Sequence, residues 1–173
     1  ATVRGLNVLN GEAEIELSGE RLTVLGSLPA CRELLVGGPQ GAALTIRGSG
    51  EVSTALVRIA DDPDASASVV FASPAFAPGA FEHLSGPPLI VGEGGEGLLE
   101  LDEVNLLHSG DLVLGALAGS RGTLTALGST QLVLSVEIAS RVIVGSAGGG
   151  LLRLRAGSAL ETPAPAELVL GEF

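Results

Sequence analysis

The side chains that could do chemistry are mainly acidic, and they fall in two groups. Asp61, Asp62 and Asp64 surround Pro63, and Glu93, Glu96, Glu100, Asp102 and Glu103 follow one another within a short stretch. Clustered carboxylates suit calcium, a hard cation that takes about six to eight oxygen ligands. Two carboxylates facing each other across a groove would instead suit glycoside chemistry, one as general acid and the other as base or nucleophile. Against both stands a plainer reading, a solvated turn and a polar strand face. Sugar chemistry is further disfavoured because the chain has no Lys, Tyr or Trp, and because no second acidic set matches the first at an equivalent position.

The remaining candidates are sparse. His83 and His108 lie far apart in sequence, one in a Phe-containing segment and one near an expected corner, and read as structural side chains. A metal site would call for more His or Cys at defined spacing. Cys31 is the single cysteine, so no internal disulfide can form, and it reads as a small apolar filler. The glycine-rich turns are not phosphate loops, since no Gly-Lys-Ser/Thr follows them and no helical pattern begins there. The expectation is a chain with no catalytic residue, no metal and no cofactor.

Around these residues the sequence repeats. A short apolar segment ending in glycine recurs at Leu34–Gly37, Leu89–Gly92, Leu112–Gly115, Val142–Gly145 and Leu168–Gly171, with a degenerate copy at Val57–Ala60. The ends of successive copies step by 23, 32, 23, 30 and 26 residues. A glycine-rich or polar turn follows each, then a second apolar segment at Leu44–Ile46, Val69–Phe71, Leu99–Leu101, Leu124–Ala126 and Leu152–Leu154. Such a unit is too small to bury its own apolar face and must stack on its neighbours.

The repeat predicts an all-β, single-stranded β-solenoid of about six coils with 23–32 residues per coil, forming one domain over residues 1–173. Residues 1–32 read as an atypical first coil. Alternation sends Val36, Val91, Leu114, Val144 and Leu170 into a core ladder. Gly37, Gly92, Gly115, Gly145 and Gly171 become coil corners. The longest loops are expected within 61–88 and 116–140, with Phe71, Phe76 and Phe81 plugging residues 72–88 onto the core. An antiparallel sandwich is the rival fold, but it would not need a Gly-ending strand at every second position.

The outward positions carry the functional signal. Leu35, Ile90, Val113, Ile143 and Val169, interrupted only by Arg58, would form an apolar interaction stripe of a few hundred Å² at about 4.8 Å spacing. The second strand instead turns Thr45, Val70, Glu100, Thr125 and Arg153 outward, a largely polar face. Either a loop of the same chain covers the stripe, or another copy or a partner protein does.

Three stretches, LIVGEGGEGLLEL (89–101), LVLGALAGSRGTLTA (112–126) and VIVGSAGGGLLRL (142–154), together with LLVGGPQGAALTI (34–46) and VRGLNVLNGEAEIELSG (3–19), resemble the strand repeat of autotransporter (type V secretion) passengers and PEP-CTERM-sorted bacterial proteins. The resemblance runs in register over 34–171. It implies a surface or secreted bacterial stalk or adhesin-like protein, with no catalytic residues to carry over. The chain departs from that pattern where Asp102-Glu103-Val104 follows the second strand, and where the middle of the first strand lacks a polar residue. Gly94 to Leu99 is also similar to the calcium-binding RTX nonapeptide, but Leu99 stands in the place of the ligand Asp, so no calcium ladder is expected.

Composition sets the outer bounds. Hydrophobic residues make up 46% of the 173 and Gly numbers 26, which opposes both disorder and a helical bundle. A net charge of −11 with 2% aromatics disfavours nucleic acid as a partner. No apolar run approaches the length of a transmembrane segment. A chain that opens at Ala1 with no Met reads as processed or excerpted, so a signal peptide would have been removed or lie outside it. The ends look uncapped and are expected to continue or to stack on a neighbour. Together these features predict a non-catalytic, extracellular or cell-surface scaffold that self-associates or binds a partner. The alternatives are a polysaccharide lyase or glycosidase on a β-helix, and a subunit of an extracellular filament.

Overall fold

Short alternating segments bounded by glycine can bury one face only against one another, and in the computed structural model they do so by parallel stacking. The structure describes residues 2–4, 13–18, 21–25, 28–38, 41–47, 51–73, 79–83, 87–134, 140–155, 157–162 and 166–171. The chain opens with windings of two strands each: β1 (Thr2–Arg4) with β2 (Ala13–Ser18), β3 (Arg21–Leu25) with β4 (Leu28–Gly37), and β5 (Ala42–Arg47) with β6 (Glu51–Ile59). Four turns of three strands follow. They are β7 (Ser66–Ala72), β8 (Gly79–His83) and β9 (Leu89–Val91); then β10 (Glu96–Asp102), β11 (Val104–His108) and β12 (Leu112–Leu114). The last two comprise β13 (Arg121–Leu127), β14 (Gln131–Leu134) and β15 (Ser140–Val144), then β16 (Gly149–Leu154), β17 (Ala159–Glu161) and β18 (Ala166–Leu170).

Every pairing among these strands is parallel, which makes the chain an all-β solenoid and removes the antiparallel rival. The first face stacks β1-β3-β5-β7-β10-β13-β16. A second face stacks β8-β11-β14-β17, and a third stacks β9-β12-β15-β18. β6 is long enough to serve both: its start pairs with β8 and its end with β9, so the second and third faces are joined as one sheet.

Two expectations change here. The turns after β6 have three strands rather than two, and the six expected coils become four three-stranded turns preceded by two-stranded windings. Part of what the sequence assigned to loops within 61–88 and 116–140 is strand, namely β8 and β14, whereas β13 contains the expected second strand Leu124–Ala126. Phe71 and Phe81 accordingly do not plug a loop. They point inward from the first and second faces of the same turn, both buried, with ring centroids 4.6 Å apart. Phe76 lies outside the described residues.

The expected core ladder is a single column in register, Val36, Ile59, Val91, Leu114, Val144 and Leu170 on the third face. Only Val36 to Leu114 are fully buried: Val144 is half-buried, and Leu170, on the last strand of the stack, is 70% exposed and is not core. Leu44, Val69, Leu99, Leu124 and Leu152 form the matching column on the first face. Phe81, Leu106, Leu132 and Leu160 form one on the second. Full burial of each such side chain is worth about 1.5–3 kcal/mol, enough to hold main-chain ladders whose own net contribution is smaller.

From β6 onward, each third-face strand is followed directly by a left-handed residue. Gly92, Gly115, Gly145 and Gly171 have φ of 71°, 74°, 76° and 67°, and Ala60 takes the same place with φ 57°. Gly37 does not: the positive φ values in its corner, 108° and 80°, belong to Gly38 and Gly41. Inside the corner, Gly97, Gly122 and Gly150 form a second glycine column. A Cβ on Gly122 would collide with the Val91 carbonyl and the Gly115 amide, and one on Gly150 with the Gly145 amide. The two columns therefore need each other.

Candidate functional site

Strand alternation and register place the predicted stripe residues in one outer column on the third face, in the order Leu35, Arg58, Ile90, Val113, Ile143, Val169. Its members differ in exposure. Leu35, Ile90, Val113 and Val169 are half-buried, whereas Ile143 is 4% exposed within the chain itself. The unbroken apolar run is Ile90–Val113–Ile143–Val169, with three members accessible to solvent.

Arg58 divides the stripe and is tied down by the next turn. Its Nη1 lies 3.4 Å from Oε2 of Glu93, in the corner that follows β9. Arg58 Nε and Glu93 Oε2 are both shielded from solvent and make no hydrogen bond among the described residues. The pair is thus an ionic rim on an otherwise apolar strip. Its net worth is small, because the arginine side chain remains 42% exposed.

The first face presents the polar column read from sequence: Thr45, Val70, Glu100, Thr125 and Arg153 are successive register partners. Beside it, at the start of these strands, lies a trough of about 620 Å³. Ala43 and Ser68 form its shallow side with Gly41 and Ser66, and Glu96, Leu98, Arg121 and Thr123 rise from the next two turns. Ala43, Ser68, Leu98 and Thr123 share one column, so the hollow exists because small residues occupy rungs that larger ones fill further along. Glu96 and Arg121 are register partners and pair across 3.9 Å, both well exposed. The sequence reading missed this trough. Its signal, a small-to-large step at fixed register, shows only once the turns are laid over one another.

The acidic groups separate rather than converge. Asp62 and Asp64 are exposed in the corner between β6 and β7, where the Ala65 amide donates to the Asp62 carbonyl. Glu93 belongs to the third-face corner, while Glu96, Glu100 and Asp102 line the outer side of β10. Glu103 takes a left-handed φ of 55° at the turn into β11, and its carboxylate accepts from the amide and hydroxyl of Ser129 one turn on. Among the described residues no three His, Cys, Asp or Glu side chains come together in a way that could hold a metal ion. Asp111 is similarly committed: Oδ1 accepts from the Arg141 amide at 2.9 Å and Oδ2 from its Nη2 at 2.6 Å.

Cys31 lies on β4, where its backbone pairs with Ala13 and Thr54. The two histidines, which the sequence leaves unrelated, are direct register partners on β8 and β11. Among the described residues no helix is long and apolar enough to cross a membrane. Comparison of the chain with protein-family models, with curated proteins and with solved structures gives no match in any of the three.

Proposed function

We propose that the chain is a non-catalytic structural or adhesive element that works outside a bacterial cell, a stiff rod whose third face binds a second copy or a protein partner. The observation that supports this reading is the apolar column Ile90–Val113–Ile143–Val169, continuous in register across four turns and partly accessible at Ile90, Val113 and Val169. A solenoid surface has little reason to repeat aliphatic side chains on solvent-facing rungs unless another surface covers them. A standard interface buries about 800 Å² per partner, so the column would be the apolar centre of a contact with the Arg58–Glu93 pair at its rim.

Sedimentation velocity across a concentration series tests the reading. The wild-type chain should associate, and Ile90→Asp with Val113→Asp should leave a monomer with unchanged circular dichroism. Ile143 is the wrong target because it is already buried. A wild-type chain that stays monomeric at every concentration, and that retains no partner in crosslinking at the cell surface, overturns it.

The trough on the first face supports a second reading, a polysaccharide-binding or polysaccharide-cleaving surface with Glu96 and Arg121 as its charged groups. Release of reducing ends from a polysaccharide panel, lost in Glu96→Gln, would favour it. A subunit of an extracellular filament is the form the first reading takes if association along the third face is open-ended.

A further inference from the structure

Three consecutive strands of the first face carry acid, then no charge, then base in the same two outward columns. Alternation turns Leu98, Glu100 and Asp102 outward from β10, each of them half-buried. On β13 the same columns hold Thr123, Thr125 and Leu127, and on β16 they hold Leu151 and Arg153, both exposed. Arg155 follows β16 with its amide still bonded to the Ala126 carbonyl at 3.0 Å, which keeps it level with Leu127 and Asp102, and it too is exposed. The acids and the bases thus stand two rungs apart, about 9.6 Å. Among the described residues, none of the side chains of Glu100, Asp102, Arg153 and Arg155 makes an ion pair or a hydrogen bond. Glu96, by contrast, pairs with Arg121 on the next rung.

Such an order is complementary to itself. Two copies laid face to face with their long axes opposed are related by a two-fold axis running along β13. That axis keeps the strand direction and exchanges the rungs on either side of it, so β10 of each copy faces β16 of the other. Glu100 then meets Arg153 of the second copy, Asp102 meets Arg155 and Leu98 meets Leu151, and each contact occurs twice. Thr125 and Leu127 meet their own counterparts at the axis, and Thr125, only 7% exposed, does not hold the faces apart. Arg121 also falls at the axis, where its own Glu96, 3.9 Å away, offsets the meeting of two arginines. Sheets pack face to face about 10 Å apart, a gap that a glutamate and an arginine close from opposite sides. Moving the axis to β10 sets Glu100 on Glu100, and moving it to β16 sets Arg153 on Arg153.

We propose that the first face is a second self-association surface, on which another copy of the chain docks antiparallel about a two-fold axis along β13, Glu100 against Arg153 and Asp102 against Arg155. The contact uses other side chains than the third-face column and does not depend on it. Area sets its strength. Three strands of about seven residues present roughly 300 Å² of face, well short of the roughly 800 Å² per partner of a standard interface. The dimer is therefore transient, with a dissociation constant on the order of 0.1 mM, and it stays unpopulated at the micromolar concentrations at which the third face is tested. Two chains of net charge −11 also repel, and physiological salt confines that repulsion to about 8 Å while the contact pairs remain.

Sedimentation equilibrium up to about 1 mM protein, in about 0.15 M salt, tests this in the Ile90→Asp, Val113→Asp background, which silences the third face. That chain should dimerise at the upper end of the range. Glu100→Arg and Arg153→Glu, each added alone, should weaken association at least about tenfold, because each sets like charges together at both contacts. An equimolar mixture of the two variants should regain the affinity of the background chain, since both contacts of the mixed pair again join opposite charges. A background chain that stays monomeric at about 1 mM overturns the proposal. So do single variants that associate as it does, and a mixture that stays monomeric. Should any of these chains fail to fold by circular dichroism, Asp102→Arg and Arg155→Asp on the native third face give the same comparison, read as the gain in mass on mixing. Failure of the third-face reading shows separately, as a wild-type chain that is monomeric at micromolar concentration.

Discussion

At the turn from the third face to the first, the windings before β7 and those after β9 follow the same path with different residues. Ala60 makes the left-handed step where Gly92, Gly115 and Gly145 make it later. In the column just inside, Ala42 and Ala67 are buried with their methyl groups, whereas their register successors are Gly97, Gly122 and Gly150. A Cβ on Gly97 would strike the Gly92 amide, so the later corners leave no room for what the earlier ones hold. The lesson is that glycine serves two separate needs here. One is a backbone angle, which alanine can meet at the cost of strain. The other is the approach of two backbones, which alanine cannot meet.

That contrast can be broken by substitution. Gly92→Ala should have the largest effect, since it combines a left-handed alanine with a Cβ driven into the Arg121 carbonyl; a loss of about 4 kcal/mol is expected in urea denaturation. Gly122→Ala changes only the packing and should lose about 2–3 kcal/mol. A variant as stable as wild type would mean that the corner backbone yields, and that the two columns are independent after all. The reverse change, Ala67→Gly, should lose about 1 kcal/mol through chain entropy and one buried methyl. Smallest of all, Ala60→Gly relieves a φ of 57° but gives up a buried methyl and some chain stiffness, leaving its unfolding free energy in urea denaturation within about 0.5 kcal/mol of wild type.

The parts of this fold that were legible in the sequence are those where one residue type recurs at one rung. The third-face column from Val36 to Leu170 and the outward stripe from Leu35 to Val169 both emerge from the Gly-ending segments, because alternation fixes direction and the corner fixes phase. The second face stayed hidden. Val104–His108, Gln131–Leu134 and Ala159–Glu161 have no shared ending residue, and in the earlier windings the same path is the first half of the longer strands β4 and β6. Register on that face depends on how much chain each corner consumes, which composition does not reveal. The pairing of His83 with His108 and the trough beside Glu96 were missed for the same reason. Each is a relation between turns, with no local pattern to announce it.

The double pairing of β6 has a mechanical side. Its first residues bond to β8 and its last to β9, so one continuous strand spans a seam that later turns leave as two separate strands. Tension applied along the second face is therefore passed to the third within a single strand at this level, whereas beyond it the load passes from one strand to the next. Under a pull the rod should yield first among its C-terminal turns, with β6 acting as the splice at which tearing stops.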